Sequence, residues 1–388
     1  MSAEQVRRRG PEMSRPTAAH LLRERDELLA GASRAQDTLG LFAEASARLR
    51  RLVPFSAAVW RATDPLTGLM TAPIRVENLD EDGCAVFWDS ELLSESVNPF
   101  HAVARMPVPA AGLRESTGDL PGRSALYRQY MRPRGLDDEL RTVLRAGGLP
   151  WGTVSLFRER GQMPFTPADI EFLAGLSGPL GHRLRSYARP PAVAGPGAVP
   201  GPGLLLFDQD GVLVSVNDEA RHHLARIPEG PAVDGGFGLS LPAWVHSTVV
   251  RARAIAEGRD RGCARVRVRS RSGAWLQCHA SCLTGADGSI GQTVLVLDVA
   301  SASEIAPILF AAYELSEREL EITQLLARGM ATGEIAGKLF LSPHTIRDHI
   351  KTIFDKVRVS SRGELVAKLF TEHYEPFGAG QVVRVSDH

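Results

Sequence analysis

Apolar residues recur at helical spacing in some stretches of this chain and alternate with polar residues in others. Helical spacing predicts one helix over about 36–53, another over about 167–185, and several short helices after about residue 315. Runs rich in branched and aromatic residues predict strands between and after the two long helices. Residues 188–203 are rich in Pro and Gly, which disfavour both helices and strand pairing, so a linker is predicted.

These elements divide the 388 residues into several parts, as expected for a chain of this length. We predict a partly helical arm at 1–33, a mixed domain at 34–186, a linker at 187–203, a smaller sheet domain at 204–300, a helical domain at 301–374 and a tail at 375–388. The predicted fold class is multidomain α+β, with two antiparallel-sheet domains followed by an all-α four-helix domain.

The helical domain carries the most specific pattern. Ser316 and Glu319 form a capping box at the start of its first helix, and Gly329 suits that helix's end. Ser342 and Pro343 suit the N-cap and the first position of the third helix. Apolar residues then recur at helical spacing and should face the core, namely Ile346, Ile350, Ile353 and Val357.

The opposite side of this third helix is polar and locally basic. In residues 342–363 five basic residues stand against two acidic ones, whereas the whole chain balances at 45 against 45. A tight turn followed by a capped helix predicts insertion of its first turns into a DNA major groove, with flanking groups on phosphates. The candidate DNA-binding residues are Ser342, His344, Thr345, Arg347, Asp348, His349, Lys351, Lys356 and Arg362.

Several separated elements of residues 315–372 fall in register and resemble the LuxR-type helix-turn-helix family of bacterial transcription regulators. The resemblance implies a four-helix DNA-binding domain that pairs with a second copy through its last helix, giving a homodimer on double-stranded DNA. It also implies phosphate contacts from Thr345, His349 and Lys356. Groove contacts are implied from Arg347 and Lys351.

Two features depart from the family pattern. Ala331 and Thr332 stand where a small hydroxyl residue and Asn are frequent, which weakens the cap of the second helix unless Thr332 substitutes. Asp348 is acidic where an apolar or small residue is usual. It either accepts from a cytosine amino group or excludes other sequences by repulsion.

Residues 34–186 resemble a GAF-type sensor domain, on the late strand opened by Trp151-Gly152 and the capped closing helix after Pro164. GAF domains bind small molecules between the sheet and overlying loops. Aromatic residues of such a pocket would be Trp60, Trp88, Phe100, Tyr127 and Trp151. The alternative is that these aromatics are plain core, and no ligand is named.

Residues 204–300 resemble a PAS domain. The resemblance rests on Phe207, Asp208, Asp210, Gly211 and Asn217. No Cys or His is placed for haem or flavin, so no cofactor is predicted. A later strand directs four arginines to one face, and these are Arg265, Arg267, Arg269 and Arg271. That face is either a surface for anions or a solvent-exposed edge that discourages strand addition.

The remaining features exclude several classes of protein. Four cysteines are too few for a disulfide scaffold and indicate a reducing cytoplasm. We expect no secretory signal and no membrane span. The sequence also lacks the patterns of a phosphate-binding loop, a nucleophile elbow and a zinc site, so no enzyme is predicted. The favoured function is a one-component transcription regulator in which sensor domains modulate a dimeric helix-turn-helix. The alternative is an interaction or scaffold protein that does not bind DNA, and a salt-dependent gel shift separates the two.

Overall fold

The computed structural model describes residues 18–79, 96–189 and 201–368. Its helices are α1 Ala18–Ser33, α2 Thr38–Leu52, α3 Phe100–Val103, α4 Leu113–Thr117, α5 Pro167–Tyr187, α6 Asp218–Ala225, α7 Ala243–Ala256, α8 Ala302–Ala312, α9 Glu317–Ala327, α10 Thr332–Leu339, α11 Pro343–Val357 and α12 Arg362–Val366. Its strands are β1 Ala57–Thr63, β2 Met70–Glu77, β3 Ala110–Gly112, β4 Leu136–Ala146, β5 Leu149–Glu159, β6 Gly203–Phe207, β7 Leu213–Val216, β8 Ala232–Asp234, β9 Ser240–Pro242, β10 Arg265–Arg269, β11 Trp275–Thr284 and β12 Ile290–Val299. Predicted features outside the described residues include Trp88, most of the linker, the N-terminal part of the arm and the C-terminal tail.

The first sheet is antiparallel with strand order β2-β1-β5-β4-β3. Helix α5 begins at a capping box of Thr166 and Asp169 and lies along one face of the sheet. A Cβ atom at Gly181 would collide with the backbone of Arg145, so glycine permits this close approach to β4. In α2, Leu41, Phe42 and Leu49 are buried, whereas Leu39 is 39% exposed.

The second sheet is antiparallel with strand order β10-β11-β12-β6-β7. Its first helix, α6, starts at Asn217, whose side chain accepts from the N–H of Ala220 at 3.0 Å. Helix α7 was not predicted from the sequence. Its residues are buried on nearly all sides, Trp244 and Val245 included, so the one-sided spacing that marks an amphipathic helix is lost.

The arginine-bearing strand β10 joins the two sheet domains. Arg267 is buried and donates to the fully buried carboxylate of Asp64 in the first domain, with Nη1 2.8 Å from Oδ2. Its carbonyl oxygen accepts from Thr71 at 2.8 Å. Arg269 donates to the carbonyl oxygen of Tyr187 at 2.8 Å. Both sequence interpretations of this face are therefore wrong for its two central arginines, because they bind the neighbouring domain.

The C-terminal helices pack around a group of buried isoleucines. Ile322, Ile335, Ile346 and Ile353 come from three different helices and are each 0% exposed. Helix α8 precedes this group and packs against α5 of the first sheet domain. One continuous apolar cluster therefore runs from the helices of the first sheet domain through α8 into the C-terminal helices. Among the described residues, no helix is long and apolar enough to cross a bilayer.

Candidate nucleic-acid interface

Helix α11 has a capped start and a left-handed residue at its end. The hydroxyl of Ser342 accepts from the N–H of Thr345 at 3.0 Å, and Pro343 occupies the first turn. The helix ends at Arg358, which adopts a left-handed conformation with φ +58°. The turn before α11 passes through Phe340, also left-handed at φ +54° and 94% exposed. The predicted N-cap at Ser342 and the predicted Pro343 in the first turn are confirmed.

One side of α11 is locked into the domain. Ile346, Ile353 and Val357 are each 0% exposed, and Ile350 is half-buried. Burial of each such side chain stabilises the fold by about 1.5–3 kcal/mol, which ties the orientation of the helix to the core. Because this side is fixed, the opposite side must face away from the domain.

The opposite side presents four of the predicted DNA-binding residues. His344, Arg347, Asp348 and Lys351 are all exposed, at positions i, i+3, i+4 and i+7 of one helical face. The Nδ1 atom of His344 lies 3.0 Å from Oδ2 of Asp348. The Nε of Arg347 donates to the carbonyl oxygen of Pro343 at 3.2 Å, one turn earlier. We call these four side chains the recognition face.

The flank of the same helix carries three more of the predicted DNA-binding residues. Ser342 is exposed, and Thr345 and His349 are half-buried. The hydroxyls of Ser342 and Thr345 lie 2.9 Å apart at the start of the helix. The structure therefore places these three polar side chains beside the recognition face.

Lys356 has a different position from the predicted phosphate contact. Its ammonium donates to the carboxylate of Glu319 at 2.6 Å and to the carbonyl oxygen of Glu314 at 2.9 Å. Burial alone would raise the pKa of Glu319, but hydrogen bonds from Lys356 and Ser316 outweigh it and the pKa is lowered. The ammonium thus joins α11 to the capping box of α9 through an ion pair within the domain.

Arg362 is also engaged within the domain. Its Nη2 atom donates to the carbonyl oxygen of Leu326 at 2.5 Å, near the end of α9, where carbonyl groups lack helical partners. Removing Arg362 and Lys356 from the five basic residues of 342–363 leaves three, against two acidic residues. The basic character of the interface is therefore smaller than the sequence indicates.

The N-terminus of α10 differs from the predicted cap. The N-cap residue is Ala331, and Thr332 is already the first helical residue, so Thr332 does not substitute as the cap. The carboxylate of Glu334 accepts from the backbone N–H of Ala331 at 2.6 Å. Only one of the two hydrogen bonds of a capping box is thus present. The Glu334 carboxylate makes its bond, whereas Ala331 has no hydroxyl to make the other.

The predicted ligand-pocket residues are not brought together. Trp60 and Trp151 pack with the helices on one face of the first sheet, where the Trp60 ring lies 5.7 Å from that of Phe42. Phe100 and Tyr127 belong to the cluster on the other face. Side chains alternate across a strand, so these two pairs are separated by the sheet itself. A single pocket containing all of them is wrong.

Sequence reasoning missed a contact between the first sheet domain and the segment that leads into the C-terminal helices. Arg185 of α5, which is buried, donates to the carboxylate of Glu314. Arg189 donates to the carbonyl oxygen of Ala312 at 3.1 Å and lies over the ring of Tyr313. Arg185 and Glu314 are 129 positions apart in the chain, so no local pattern signals their contact. We call these residues the junction.

Comparison with known proteins supports the family resemblance of the C-terminal helices. The model of bacterial regulatory proteins of the luxR family matches residues 313–369. Spore germination protein GerE of Bacillus subtilis is 40% identical over 55 residues, which cover 14% of this chain and 74% of that protein. Transcriptional regulatory protein UhpA of Escherichia coli is 41% identical over 56 residues, which cover 14% of this chain but only 29% of that protein.

Among solved structures, Escherichia coli SdiA is 12% identical, with 91% of this chain and 99% of that chain covered at a TM-score of 0.32. A score that low supports no inference about this chain. The relationship that counts is with GerE, since it extends over most of that protein. The chain belongs to the luxR family of bacterial regulatory proteins, and residues 313–369 are its LuxR-type helix-turn-helix domain.

Proposed function

We propose that this protein is a one-component, sequence-specific DNA-binding transcription regulator. Its recognition face would enter the major groove while Ser342, Thr345 and His349 meet phosphates. The observation that carries the proposal is the two-sided geometry of α11. Ile346 and Ile353 are fully buried on one side, and the four polar side chains of the recognition face are exposed on the other.

The first test is a salt-dependent gel shift on promoter fragments with the full chain. Arg347→Ala should weaken specific binding by about 1–3 kcal/mol if its guanidinium makes a bidentate contact to guanine. Binding to random DNA should change far less. An equal loss of affinity for specific and random DNA would show that Arg347 does not read a base. If no duplex gave a gel shift, the alternative of a protein-interaction function would be favoured.

The proposed regulator acts as a homodimer that pairs through its last helix. Leu365 of α12 is fully buried in the domain, while Val366 is half-buried at its surface. The arrangement predicts two half-sites related by a twofold axis and about one helical turn apart. Footprinting should show paired protection at that spacing, and a single unpaired half-site would contradict the dimer.

We further propose that the two sheet domains are GAF-like and PAS-like sensors that modulate the DNA-binding end through the junction. Arg185 binds Glu314, and the carbonyl oxygen of Glu314 accepts from Lys356 of α11. Glu314 itself is left-handed, with φ +59°, a conformation of appreciable backbone cost outside glycine. Any movement of α5 is thereby passed to the helix that carries the recognition face.

The test of this modulation compares two arginines of the same helix. Arg185→Ala should weaken binding to all duplexes by a common factor of about five or more, because α11 loses its fixed attachment to the first domain. Arg183→Ala is the matched control, since Arg183 donates to the carbonyl oxygen of Ala35 and lies away from the junction. Unchanged affinity in the Arg185 variant would contradict modulation through this contact.

A further inference from the structure

We propose that Asp348 is a specificity-determining residue that selects cytosine in the bound half-site, and that His344 is the positioning residue for its carboxylate. The inference rests on the proposed function, since it assigns a base to one position of the recognition face. It goes further by naming which base pair the chain requires and which side chains impose the requirement.

The pair is formed at the most accessible part of α11. The side chain of His344 is 82% exposed and that of Asp348 is 68% exposed, and the two lie one helical turn apart. The Nδ1 to Oδ2 distance of 3.0 Å commits one carboxylate oxygen to the imidazole. The other oxygen, Oδ1, is therefore the one directed to an approaching base edge.

An ionised carboxylate accepts hydrogen bonds and cannot donate them. In the major groove, only the amino groups of cytosine and adenine donate, whereas guanine and thymine present acceptors at the corresponding positions. Opposite guanine or thymine, Asp348 would lose its water without gaining a hydrogen bond, which is unfavourable. The phosphates on either side of the groove would repel this negative charge, so the carboxylate favours binding only where a donor meets it.

Cytosine is favoured over adenine by the neighbouring atoms. The adenine amino group stands beside the acceptor N7, which repels a carboxylate that carries a full negative charge. The cytosine base carries no acceptor of its own on its major-groove edge. The guanine paired with that cytosine offers O6 and N7 to a cation, and Arg347 and Lys351 lie on the same face as Asp348.

The experiment is selection from random duplexes with the full chain, followed by affinity measurements on the selected site with each base at each position. Wild type should prefer cytosine over guanine or thymine at one position of each half-site by about 5- to 150-fold. Asp348→Ala should reduce that preference to about twofold or less, and Asp348→Asn should shift it to adenine, which a carboxamide binds bidentately. His344→Ala should lower the preference for cytosine at this same position only.

Asp355→Asn is the matched control, because Asp355 is exposed seven residues further along α11 and its change removes the same charge. It should strengthen binding to all duplexes and leave every base preference intact. If wild type selects a sequence but the Asp348 variants keep its preferences, the inference is wrong and the proposed function stands. If wild type selects no sequence, the proposed function itself is wrong.

Discussion

The substitution Lys356→Ala distinguishes two functions of one ammonium group. The sequence predicts a phosphate contact, which would reduce affinity for all duplexes and flatten the salt dependence. The structure instead places the group on Glu319 at 2.6 Å, with side chains that are 33% and 7% exposed. It therefore predicts a loss of domain stability with an unchanged salt dependence.

The magnitude follows from the burial of the two partners. An exposed ion pair contributes up to about 1 kcal/mol, and breaking a fully buried one costs about 3–5 kcal/mol. The Glu319 carboxylate is buried but keeps its hydrogen bond from the backbone N–H of Ser316 at 2.7 Å. A loss of about 1–3 kcal/mol is therefore expected, which corresponds to a roughly 5- to 150-fold larger population of the locally opened domain.

The assay is amide hydrogen exchange of the full chain, read by mass spectrometry on peptides from α9 and α11. It measures local opening and needs no two-state unfolding of a multidomain protein. Lys351→Ala is the control, since Lys351 lies exposed on the recognition face. It should leave exchange unchanged and weaken binding to the specific site. If Lys356→Ala reduced the slope of log K against log salt by about 0.9 with normal exchange, the internal ion pair would not be its function.

Three further changes test the packing and ionic contacts of the fold. The folded state stabilises the ionised carboxylate of Glu319 and so lowers its pKa. Its contribution to the free energy of unfolding is complete above about pH 4.5 and is lost as the pH falls through that lowered pKa. Amide exchange in α9 should therefore rise in this acidic range in wild type but not in Glu319→Gln. Ile353→Ala should destabilise the helical domain by about 2–5 kcal/mol in the same exchange assay, and the half-buried Ile350→Ala by less. Asp64→Ala leaves Arg267 buried without its carboxylate, so limited proteolysis between the sheet domains should accelerate, reflecting a loss of about 3–5 kcal/mol.

The parts of the interface that follow from short-range chemistry were predictable from the sequence. The capping box at Ser316, the N-cap at Ser342 and the buried side containing Ile353 each depend on residues within about four positions of one another. These features also determine which side of α11 is exposed. The recognition face could therefore be identified from the order of residues alone.

The parts that depend on distant residues were not predictable. Lys356 and Glu319 lie 37 positions apart, and Arg267 and Asp64 lie 203 apart, so the charge pattern alone could not show that these groups are paired. For Trp60, alternation along the strand gives the side it shares with its neighbours. It does not show which side the helices cover. Helix α7 was missed because it is buried on almost every side, so its apolar residues do not recur at helical spacing.

The shared apolar cluster affects how this protein can be divided. The family match begins at residue 313, just after α8, yet Ile305 and Leu309 of α8 pack in the same cluster as the helices on both sides of it. A cut at that boundary would expose apolar surface on both fragments, and each fragment would tend to aggregate in isolation. Chimaeras should keep α8 together with the C-terminal helices and replace its α5-facing apolar residues with polar ones. Such proteins should not aggregate.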